Sequence, residues 1–385
     1  MAAEIETPAF IIDEKILNSD LAQLRQVADE AGCELLYSPK ANSVSTVLQT
    51  VGRRVDGFAC SSLFELQLVD RLCGPGAALH LVSPLIKRET LEQFGARLAH
   101  VTFNSLSQWQ SLRRYVALQT RVALRINPQL SFIGDPRYDP CRQNSKLGVP
   151  IAKLAALQRT DPGVLAGIDG LHFHNNCEGI DFAGLVATAR HIQDVVPEIL
   201  HQIDWINIGG GYLFHQIEDL DDFFEAVSIF RERFGLDVFM EPGAATVRRS
   251  GTIEATVHDL FESDEIQIAV LDTSVNHMSE VFEFQFEPDV LGHIDGGMHT
   301  YILAGCTCLA GDVFGEYSFD RALDVGGRVT FLNMGAYTTS KAQRFNGVEL
   351  PTIYHRRLDG TLRLVSADRF EEFARSAGVM NIGIS

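Results

Sequence analysis

Short apolar runs alternate, over the first two thirds of the chain, with segments that have helical periodicity. Most runs end in polar residues, glycine or proline, as buried strands do where they leave a sheet. The predicted strands are Leu35–Tyr37, Gly57–Cys60, Leu79–Val82, Val101–Phe103, Val122–Ile126, Gly170–His174, Ile206–Ile208 and Val238–Met240. Eight parallel strands with helical spacers in about 210 residues favour a (β/α)8 TIM barrel over an open doubly wound sheet. Ser62, followed three residues later by Glu65, predicts a capping box that opens one of the helices.

The pattern changes after about residue 247. GTIEATVH at 251–258 and FEFQFE at 282–287 alternate apolar and polar residues, and this period of two predicts strands without intervening helices. TPAFIID at 7–13 also has the pattern of an extended strand. We therefore expect a barrel domain over residues 14–246 and a C-terminal antiparallel β domain over residues 247–385, joined by the N-terminal strand within residues 1–13.

Length and composition agree with two soluble domains. The 385 residues exceed what a single hydrophobic core usually serves, and an apolar fraction of 46% with 21% charged residues is ordinary for a globular protein. No apolar run is long enough to cross a bilayer, and the first eight residues lack the basic start and apolar middle of a signal peptide. We expect a cytoplasmic protein without a membrane partner.

Cysteine usage and net charge exclude several kinds of site. Seven cysteines in irregular spacing without a CxxC pair indicate reduced thiols, not a disulfide framework or a zinc site, so no metal is expected. The formal net charge of −18 disfavours nucleic-acid binding, because phosphate backbones repel an acidic chain. The same charge would attract a small cationic substrate.

Four polar features follow predicted strands and so belong at one end of the barrel, where barrel enzymes have their active sites. Lys40 in LLYSPKANS would lie at the end of a buried sheet, where an ammonium loses part of its hydration and can serve as a nucleophile. Gly209–Gly211 could form a phosphate-binding turn, Glu241 could bond a protonated ring nitrogen, and His174 could lie against an aromatic ring.

Each feature alone has a commoner structural role. Lysines in such loops are usually exposed, triple glycines are usually flexible turns, and strand-end acids and histidines usually make structural hydrogen bonds. Together, a lysine for a Schiff base, an acid for a pyridine nitrogen and a glycine turn for a phosphate match the groups that pyridoxal 5'-phosphate presents. The combination therefore predicts this cofactor.

Several motifs extend the match beyond these features. They are YSPKA at 37–41, SKLG at 145–148, HFHNNCE at 172–178, EPGAA at 241–245, GCTCLAGD at 305–312 and MGAYTTSKAQRFNG at 334–347. With them, nearly the whole chain resembles the barrel-type pyridoxal-phosphate decarboxylases of the alanine racemase-like fold, which include ornithine, arginine and diaminopimelate decarboxylases. Within that family it is most similar to the carboxynorspermidine/carboxyspermidine decarboxylases of polyamine biosynthesis.

The resemblance implies a role for each matched residue. Lys40 would bind the cofactor covalently, His174 would stack on its ring and Glu241 would pair with its pyridinium nitrogen. The phosphate would be held by Gly209, Gly210, Gly211, Gly243 and Tyr337. Cys308 would reach from the second domain into the other subunit's site and protonate the reacting carbon, which makes a homodimer with shared active sites the expected partner arrangement.

Two departures from the family bear on the substrate. Ala244 follows EPG where ornithine and diaminopimelate decarboxylases have a phosphate-binding arginine, and Leu309 follows Cys308 where those relatives have an acid that grips the distal amine. The second loss favours a carboxylated aminopropyl diamine over ornithine.

Other acids are then needed for the cationic tail of the substrate. The candidates are Glu178 and Asp272, each of which could equally be a structural hydrogen-bond acceptor, and Asp312 is a further candidate. The resemblance also implies that Asp312 forms an ion pair with Lys146 across the dimer interface.

Three alternatives remain open at this point. The chain could decarboxylate another basic amino acid such as diaminopimelate, ornithine or arginine. An alanine racemase-type enzyme would share the lysine and the barrel but should lack HFHNNCE and GCTCLAGD. A non-catalytic regulatory homologue is a third possibility, which the intact Lys40, Glu241 and Cys308 oppose. The sequence does not separate carboxynorspermidine from carboxyspermidine.

Overall fold

The computed structural model describes residues 5–379, and this part of the chain divides into two compact units. The barrel unit comprises Ser19–Ser43 and Leu48–Thr246. The β unit comprises the described residues up to Asn18, Val44–Val47 and the described residues from Val247 onward. The β unit is therefore assembled from both ends of the described chain.

The strands of the described chain alternate with helices as far as the end of the barrel unit. In chain order the strands are β1 (Ala9–Asp13), β2 (Cys33–Tyr37), β3 (Gly57–Cys60), β4 (Ala78–Val82), β5 (Leu98–Phe103), β6 (Arg121–Asn127), β7 (Val149–Pro150), β8 (Gly170–His172), β9 (Trp205–Asn207), β10 (Asp237–Met240), β11 (Gly251–Ser263), β12 (Ile266–Leu271), β13 (His299–Ala304), β14 (Val313–Phe319), β15 (Arg328–Phe331), β16 (Thr352–Arg356) and β17 (Leu362–Ser366). The α-helices are α1 (Glu14–Ala31), α2 (Ser45–Val51), α3 (Leu63–Cys73), α4 (Arg88–Phe94), α5 (Leu106–Leu112), α6 (Ile151–Thr160), α7 (Ala183–Val195), α8 (Pro197–Leu200), α9 (Asp221–Phe234), α10 (Gly243–Val247), α11 (Ser279–Phe284), α12 (Thr338–Lys341) and α13 (Phe370–Ser376).

The barrel unit contains a closed parallel barrel. Its strands pair in the order β5-β4-β3-β2-β10-β9-β8-β6, and β5 also pairs with β6, which closes the sheet. The predicted (β/α)8 barrel and all eight of its strands are thereby confirmed. One end differs from the prediction, because β8 stops at His172, so His174 lies two residues beyond the strand.

Large side chains fill the barrel interior. Trp205 and Phe239 pack with small residues from neighbouring strands, including Ala59 and Ala123, so that bulky and small positions complement one another. His80 and His100 also lie inside, and their rings contact Phe239. The barrel interior is therefore a packed core and not an open pore.

Helix α3 begins as the sequence predicts. The Ser62 hydroxyl accepts a hydrogen bond from the Glu65 backbone N–H at 3.2 Å. The Glu65 carboxylate accepts one in return, from the backbone N–H of Ser61 at 2.6 Å. The first bond satisfies a backbone donor that the first turn of a helix leaves without an intrahelical partner, and the second fixes the residue just before the cap.

Strand β1 lies inside the sheet of the β unit. It pairs antiparallel with β11, where Ala9 faces Glu254, and parallel with β16, where Ala9 faces Thr352. The sequence predicted that an N-terminal strand joins the second domain, and β1 is the strand in question. The sheet order is β14-β13-β12-β11-β1-β16-β17, with β15 also paired to β11, and β12 and β13 run parallel. The sheet is thus rich in antiparallel pairs but not purely antiparallel.

The predicted strand at FEFQFE, residues 282–287, was wrong. The segment begins inside α11, and the helix ends at Gln285, whose backbone is left-handed. Glu280 and Glu283, three residues apart, lie on one side of this helix and both pair with the Lys341 ammonium, at 3.0 and 2.7 Å. This non-local pairing favours a helix over a strand at this segment.

No helix of the described residues is long and apolar enough to span a membrane.

Candidate active site

A cavity of about 450 Å³ lies in the barrel unit where the strands end. It brings together three of the residues predicted from strand ends, Lys40, His174 and Glu241. Its walls also include Arg125 from β6 and His172 from β8. The remaining lining comes largely from the long connection between β6 and β7, with Arg137, Tyr138, Asp139, Pro140, Arg142, Ser145, Lys146 and Leu147.

Lys40 lies in the turn that follows β2. The buried Tyr37 hydroxyl donates to the carbonyl of Asn42 at 2.8 Å, and the Ala41 N–H donates to the carbonyl of Ser38 at 3.1 Å, so the backbone around the lysine is fixed on both sides. The lysine side chain itself is exposed. The side chain is therefore not desolvated in the way the sequence suggested. Its position at the cavity does agree with the prediction.

Glu241 is held by two side chains below the cavity. It is 7% exposed, and its Oε1 accepts a hydrogen bond from the Asn207 side-chain amide at 2.7 Å. Its Oε2 accepts a longer one from the Ser38 hydroxyl at 3.4 Å. A fixed carboxylate of this kind is suited to accept a hydrogen bond from a protonated ring nitrogen. Sequence reasoning missed Asn207, whose only signal is an amide between Ile206 and Ile208 on a buried strand.

The turn at Gly209–Gly211 is built by close backbone approach. A Cβ on Gly210 would lie 2.0 Å from the Glu241 carbonyl oxygen, and one on Gly211 would lie 2.1 Å from the Asn176 carbonyl oxygen, so a larger residue would not fit. Gly209 and Gly210 donate their N–H groups within the protein, to Asn207 Oδ1 at 2.8 Å and to His174 Nδ1 at 3.1 Å. The sequence suggested that these glycines offer free N–H groups to a phosphate, but the N–H groups of Gly209 and Gly210 are used within the protein.

His174 is neutral in this environment. Burial, reinforced by the nearby Lys40 and Arg125, lowers its pKa to about 3. Because Nδ1 accepts the Gly210 N–H, the single proton of the neutral ring resides on Nε2. A neutral imidazole of fixed orientation is suited to stack on an aromatic ring.

Arg125 and His172 were not predicted from the sequence. They are register neighbours on β6 and β8. No hydrogen bond or ion pair of the Arg125 guanidinium is present among the described residues, and burial lowers its pKa. An unpaired cation in such a place is stabilised by a bound anion. The signal available was an arginine in the otherwise apolar segment RVALRIN.

The charges around the cavity oppose those of the whole chain. Five basic side chains line it, from Lys40, Arg125, Arg137, Arg142 and Lys146, against the acids Asp139 and Glu241. The chain as a whole has a formal net charge of −18. This local excess of cations fits a phosphate and a substrate carboxylate. The lining supplies the lysine and the buried acid, and the glycine turn is bonded to the lining residue His174, so together they have the groups that pyridoxal phosphate requires.

The three acids proposed for the substrate occupy different surroundings. Glu178 is exposed, with a backbone φ of 60°, and lines a second cavity of about 570 Å³. Cys177 lines both cavities. In the β unit, Asp272 accepts the Thr256 N–H at 2.8 Å.

Asp312 is 3% exposed and accepts hydrogen bonds from the Ser274 hydroxyl at 2.9 Å and the Val275 N–H at 2.8 Å. It also accepts bonds from the N–H and the hydroxyl of Thr307. Asp272 and Asp312 therefore both act as structural acceptors within the β unit, and Asp312 orders the GCTCLAGD segment.

The other predicted residues lie at backbone features of their units. Gly243 opens α10 in the barrel unit, where a Cβ would lie 3.3 Å from that of Ala41. In the β unit Cys308 is exposed, and its N–H donates to Asn346 Oδ1 at 2.7 Å. Tyr337 has a φ of 60° immediately before α12. A non-glycine residue in this left-handed region is strained, a feature that clusters at functional sites.

Comparison with known proteins gives consistent relatives. A family model described as "Pyridoxal-dependent decarboxylase, pyridoxal binding domain" matches residues 17–248. The chain is 33% identical over 98% of its length to carboxyaminopropylagmatine decarboxylase of Synechocystis sp., covering 96% of that protein. It is 31% identical over 97% of its length to carboxynorspermidine/carboxyspermidine decarboxylase of Herminiimonas arsenicoxydans, covering 99% of it.

Solved structures agree with these relatives. Carboxynorspermidine decarboxylase from Campylobacter jejuni, solved in complex with norspermidine, superposes with a TM-score of 0.87 at 27% identity, over 97% of this chain and 100% of that one. Diaminopimelate decarboxylase from Helicobacter pylori has the same fold, with a TM-score of 0.84 at 17% identity, over 97% of both chains. The chain accordingly belongs to the pyridoxal-dependent decarboxylases, and pyridoxal phosphate is its cofactor.

Proposed function

We propose that this decarboxylase acts on carboxynorspermidine, carboxyspermidine or both, and so produces a polyamine in polyamine biosynthesis. The observation that carries the proposal is similarity over nearly the full length of enzymes named for these substrates, together with a solved relative that holds norspermidine. Leu309 supports it, because the acid that grips a short diamine in ornithine decarboxylases is replaced there. Diaminopimelate decarboxylases are more distant relatives.

Residues that line the cavity or lie near it would each hold a different part of the cofactor. Lys40 would form the covalent link, Glu241 would accept the hydrogen bond of the ring nitrogen, and the neutral His174 would stack on the ring. The backbone at Gly209–Gly211 and Gly243 would hold the phosphate, and the family resemblance adds Tyr337 to the residues predicted to hold it. Arg125 is half-buried and has no hydrogen bond or ion pair among the described residues. Its charge replaces that of the arginine that follows EPG in ornithine and diaminopimelate decarboxylases.

Pyridoxal phosphate supplies the electron sink for breaking the bond to the carboxylate. The protein binds the substrate amine at the cofactor, excludes water from the reacting carbon and protonates that carbon after carbon dioxide leaves. Cys308 is the proposed proton donor. Glu178 is the proposed partner of the cationic tail, since its cavity adjoins the one that contains Lys40. In this scheme Asp272 and Asp312 do not bind the substrate but accept hydrogen bonds that order the β unit.

The proposal includes a cytoplasmic homodimer with shared sites, in which Cys308 of one subunit serves the barrel of its partner. Exposed thiols at Cys306 and Cys308, neither in a disulfide within the described part of the chain, support a reducing compartment. An ion pair between Lys146 and Asp312 across the interface requires Asp312 to exchange some of its present hydrogen bonds.

Carboxyaminopropylagmatine is a second candidate substrate. The relative named for it is 33% identical over 98% of this chain, and its substrate would end in a guanidinium where the others end in an amine. The reaction at the amino-acid end is the same for all three compounds. The choice among them therefore depends on the residues that hold the distal cation.

The test is release of carbon dioxide by the purified enzyme with pyridoxal phosphate. The panel contains carboxynorspermidine, carboxyspermidine and carboxyaminopropylagmatine, with ornithine, arginine and diaminopimelate as controls. We expect the highest kcat/KM for one or both of the carboxylated spermidines. A higher value for carboxyaminopropylagmatine would select the second candidate, and a higher value for any control would overturn the proposal.

A further inference from the structure

Asn207 connects the two parts of the site that are proposed to hold the ends of the cofactor. Its side chain is 1% exposed at the end of β9. The amide nitrogen donates to Glu241 Oε1 at 2.7 Å, and the amide oxygen accepts the Gly209 N–H at 2.8 Å. One rigid planar group therefore joins the buried carboxylate to the glycine turn.

The chemistry of these two bonds requires an amide at this position. The Gly209 N–H can donate only to the oxygen of Asn207, which leaves the NH2 group facing Glu241. An aspartate would keep the bond to Gly209 but would direct a second carboxylate at the first. Two buried carboxylates in hydrogen-bond contact do not both ionise readily, so they would share a proton.

We propose that Asn207 is a positioning residue for cofactor binding, which holds the Glu241 carboxyl group as a hydrogen-bond acceptor at a fixed distance from the glycine turn. Through this one side chain, the acceptor for the ring nitrogen and the backbone beside the phosphate are set in place before the cofactor arrives. The inference rests on the proposed role of Glu241 and adds the residue that prepares it.

The chain offers a matched control in Asn127. This residue ends β6, is 5% exposed, and its Oδ1 accepts the N–H two residues later, that of Gln129, at 2.8 Å. Asn207 makes the same turn with Gly209. Asn127→Asp and Asn207→Asp therefore preserve equivalent backbone bonds at buried strand ends, and only the second brings a carboxylate against Glu241.

The experiment compares these variants as full-length proteins, stripped of cofactor and titrated with pyridoxal phosphate. We expect Asn207→Asp to bind the cofactor at least about tenfold more weakly than the parent, and Asn127→Asp to stay within about twofold. Thermal unfolding of the same cofactor-free proteins is measured at about pH 6 and about pH 8.5. The deficit of Asn207→Asp should grow with pH, because ionising both carboxylates is disfavoured in the folded state but not in the unfolded one.

A double variant tests whether Asn207 acts through Glu241. In Asn207→Asp with Glu241→Gln only one carboxylate remains, so the growth of the deficit with pH should disappear and the cofactor affinity should be no lower than in Glu241→Gln alone. Equal behaviour of Asn207→Asp and Asn127→Asp, or additive losses in the double variant, would overturn the proposal. If Asn207→Asp does not accumulate, Asn207→Ala replaces it, and an affinity equal to that of the parent contradicts the inference.

These readouts are independent of turnover. A parent enzyme that binds pyridoxal phosphate but releases no carbon dioxide from the panel would refute the proposed substrates and leave the Asn207 comparison intact. If the parent turns over carboxynorspermidine normally and Asn207→Asp binds the cofactor as tightly as the parent, the proposed substrate stands and the Asn207 inference is refuted.

Discussion

The rings of His80 and His100 lie stacked in the barrel interior, with centroids 4.1 Å apart and planes inclined by 19°. Both are buried, and neither ring nitrogen of His100 has a hydrogen-bond partner among the described residues. Burial lowers the pKa of both rings, that of His100 to about 4. The pair is thus accommodated only in its neutral form.

Stability should consequently fall in mild acid. The unfolded chain takes up a proton on each histidine near pH ~6.5, whereas the folded His100 resists until pH about 4, so the free energy of unfolding decreases as pH falls between these values. For His100 alone the full loss is about 3 kcal/mol. Urea unfolding at several pH values measures it. His100→Gln should reduce the loss by about the share of His100, leaving that of the other buried histidines, and the exposed His299→Gln serves as the surface control.

Lys40→Ala should abolish turnover and remove the visible absorbance of covalently bound cofactor, because this lysine follows the first barrel strand and lines the cavity. Lys153→Ala, on the exposed face of α6, is the control and should behave as the parent does. Absorption spectra and borohydride trapping with peptide mapping report the attachment site. Cofactor trapped on a different lysine in the Lys40→Ala protein would refute the assignment.

Glu241→Gln should lower kcat by more than about tenfold, because a neutral amide stabilises a protonated ring nitrogen less well than a carboxylate, and each tenfold corresponds to about 1.4 kcal/mol in the transition state. Steady-state kinetics measure the change, with the exposed Glu232→Gln as the matched control. A variant with near-normal kcat would exclude the proposed pairing of Glu241.

Shared active sites predict complementation between inactive subunits. If Lys40 and Cys308 come from different subunits, neither Lys40→Ala nor Cys308→Ala turns over normally by itself. Subunit exchange at equal amounts makes about half the dimers mixed, and one site in each mixed dimer has neither substitution, so about a quarter of all sites recover. Activity is measured before and after exchange at modest salt, since the proposed interface ion pair weakens as salt rises.

The control for complementation is exchange itself, followed with differently tagged subunits. Mixed dimers that form without a gain in activity would show that Cys308 serves its own subunit's site or has no role in turnover. A recovery near a quarter of the parent activity is expected from the shared geometry alone.

Most barrel strands could be located from the sequence to within a few residues, and so could the polar residues that follow them, although β8 ends two residues earlier than predicted. Lys40, His174 and Glu241 each come after an apolar run, and parallel strands bring such ends together. Arg125 and Asn207 lie within the runs, where the pattern of apolar residues does not tell which way a single polar side chain faces. Their roles depend on neighbours from other strands, such as Glu241, 34 residues from Asn207.

The failure at FEFQFE has a similar origin. Alternating phenylalanines suggest a strand, yet Phe282 and Phe286 are 48% and 40% exposed and do not form a buried face. Lys341 lies about 60 residues away in sequence from the two acids it pairs with, Glu280 and Glu283. A pattern read within a short window cannot include such a partner, which here decides between helix and strand.

The position of β1 has a consequence for biosynthesis. Ala9 pairs with Glu254 on one side and Thr352 on the other, and both are synthesised after the barrel unit. The whole barrel unit is therefore synthesised before either edge of β1 has a partner. The barrel, whose strands pair mostly with neighbours in the chain, can fold during synthesis, while the β unit must close over a long sequence separation after most of the chain has emerged. Folding of the nascent chain is thus ordered from the middle outward. Chains stalled with the barrel unit outside the ribosome and β11 still inside it should protect the barrel from protease while β1 remains open to cleavage.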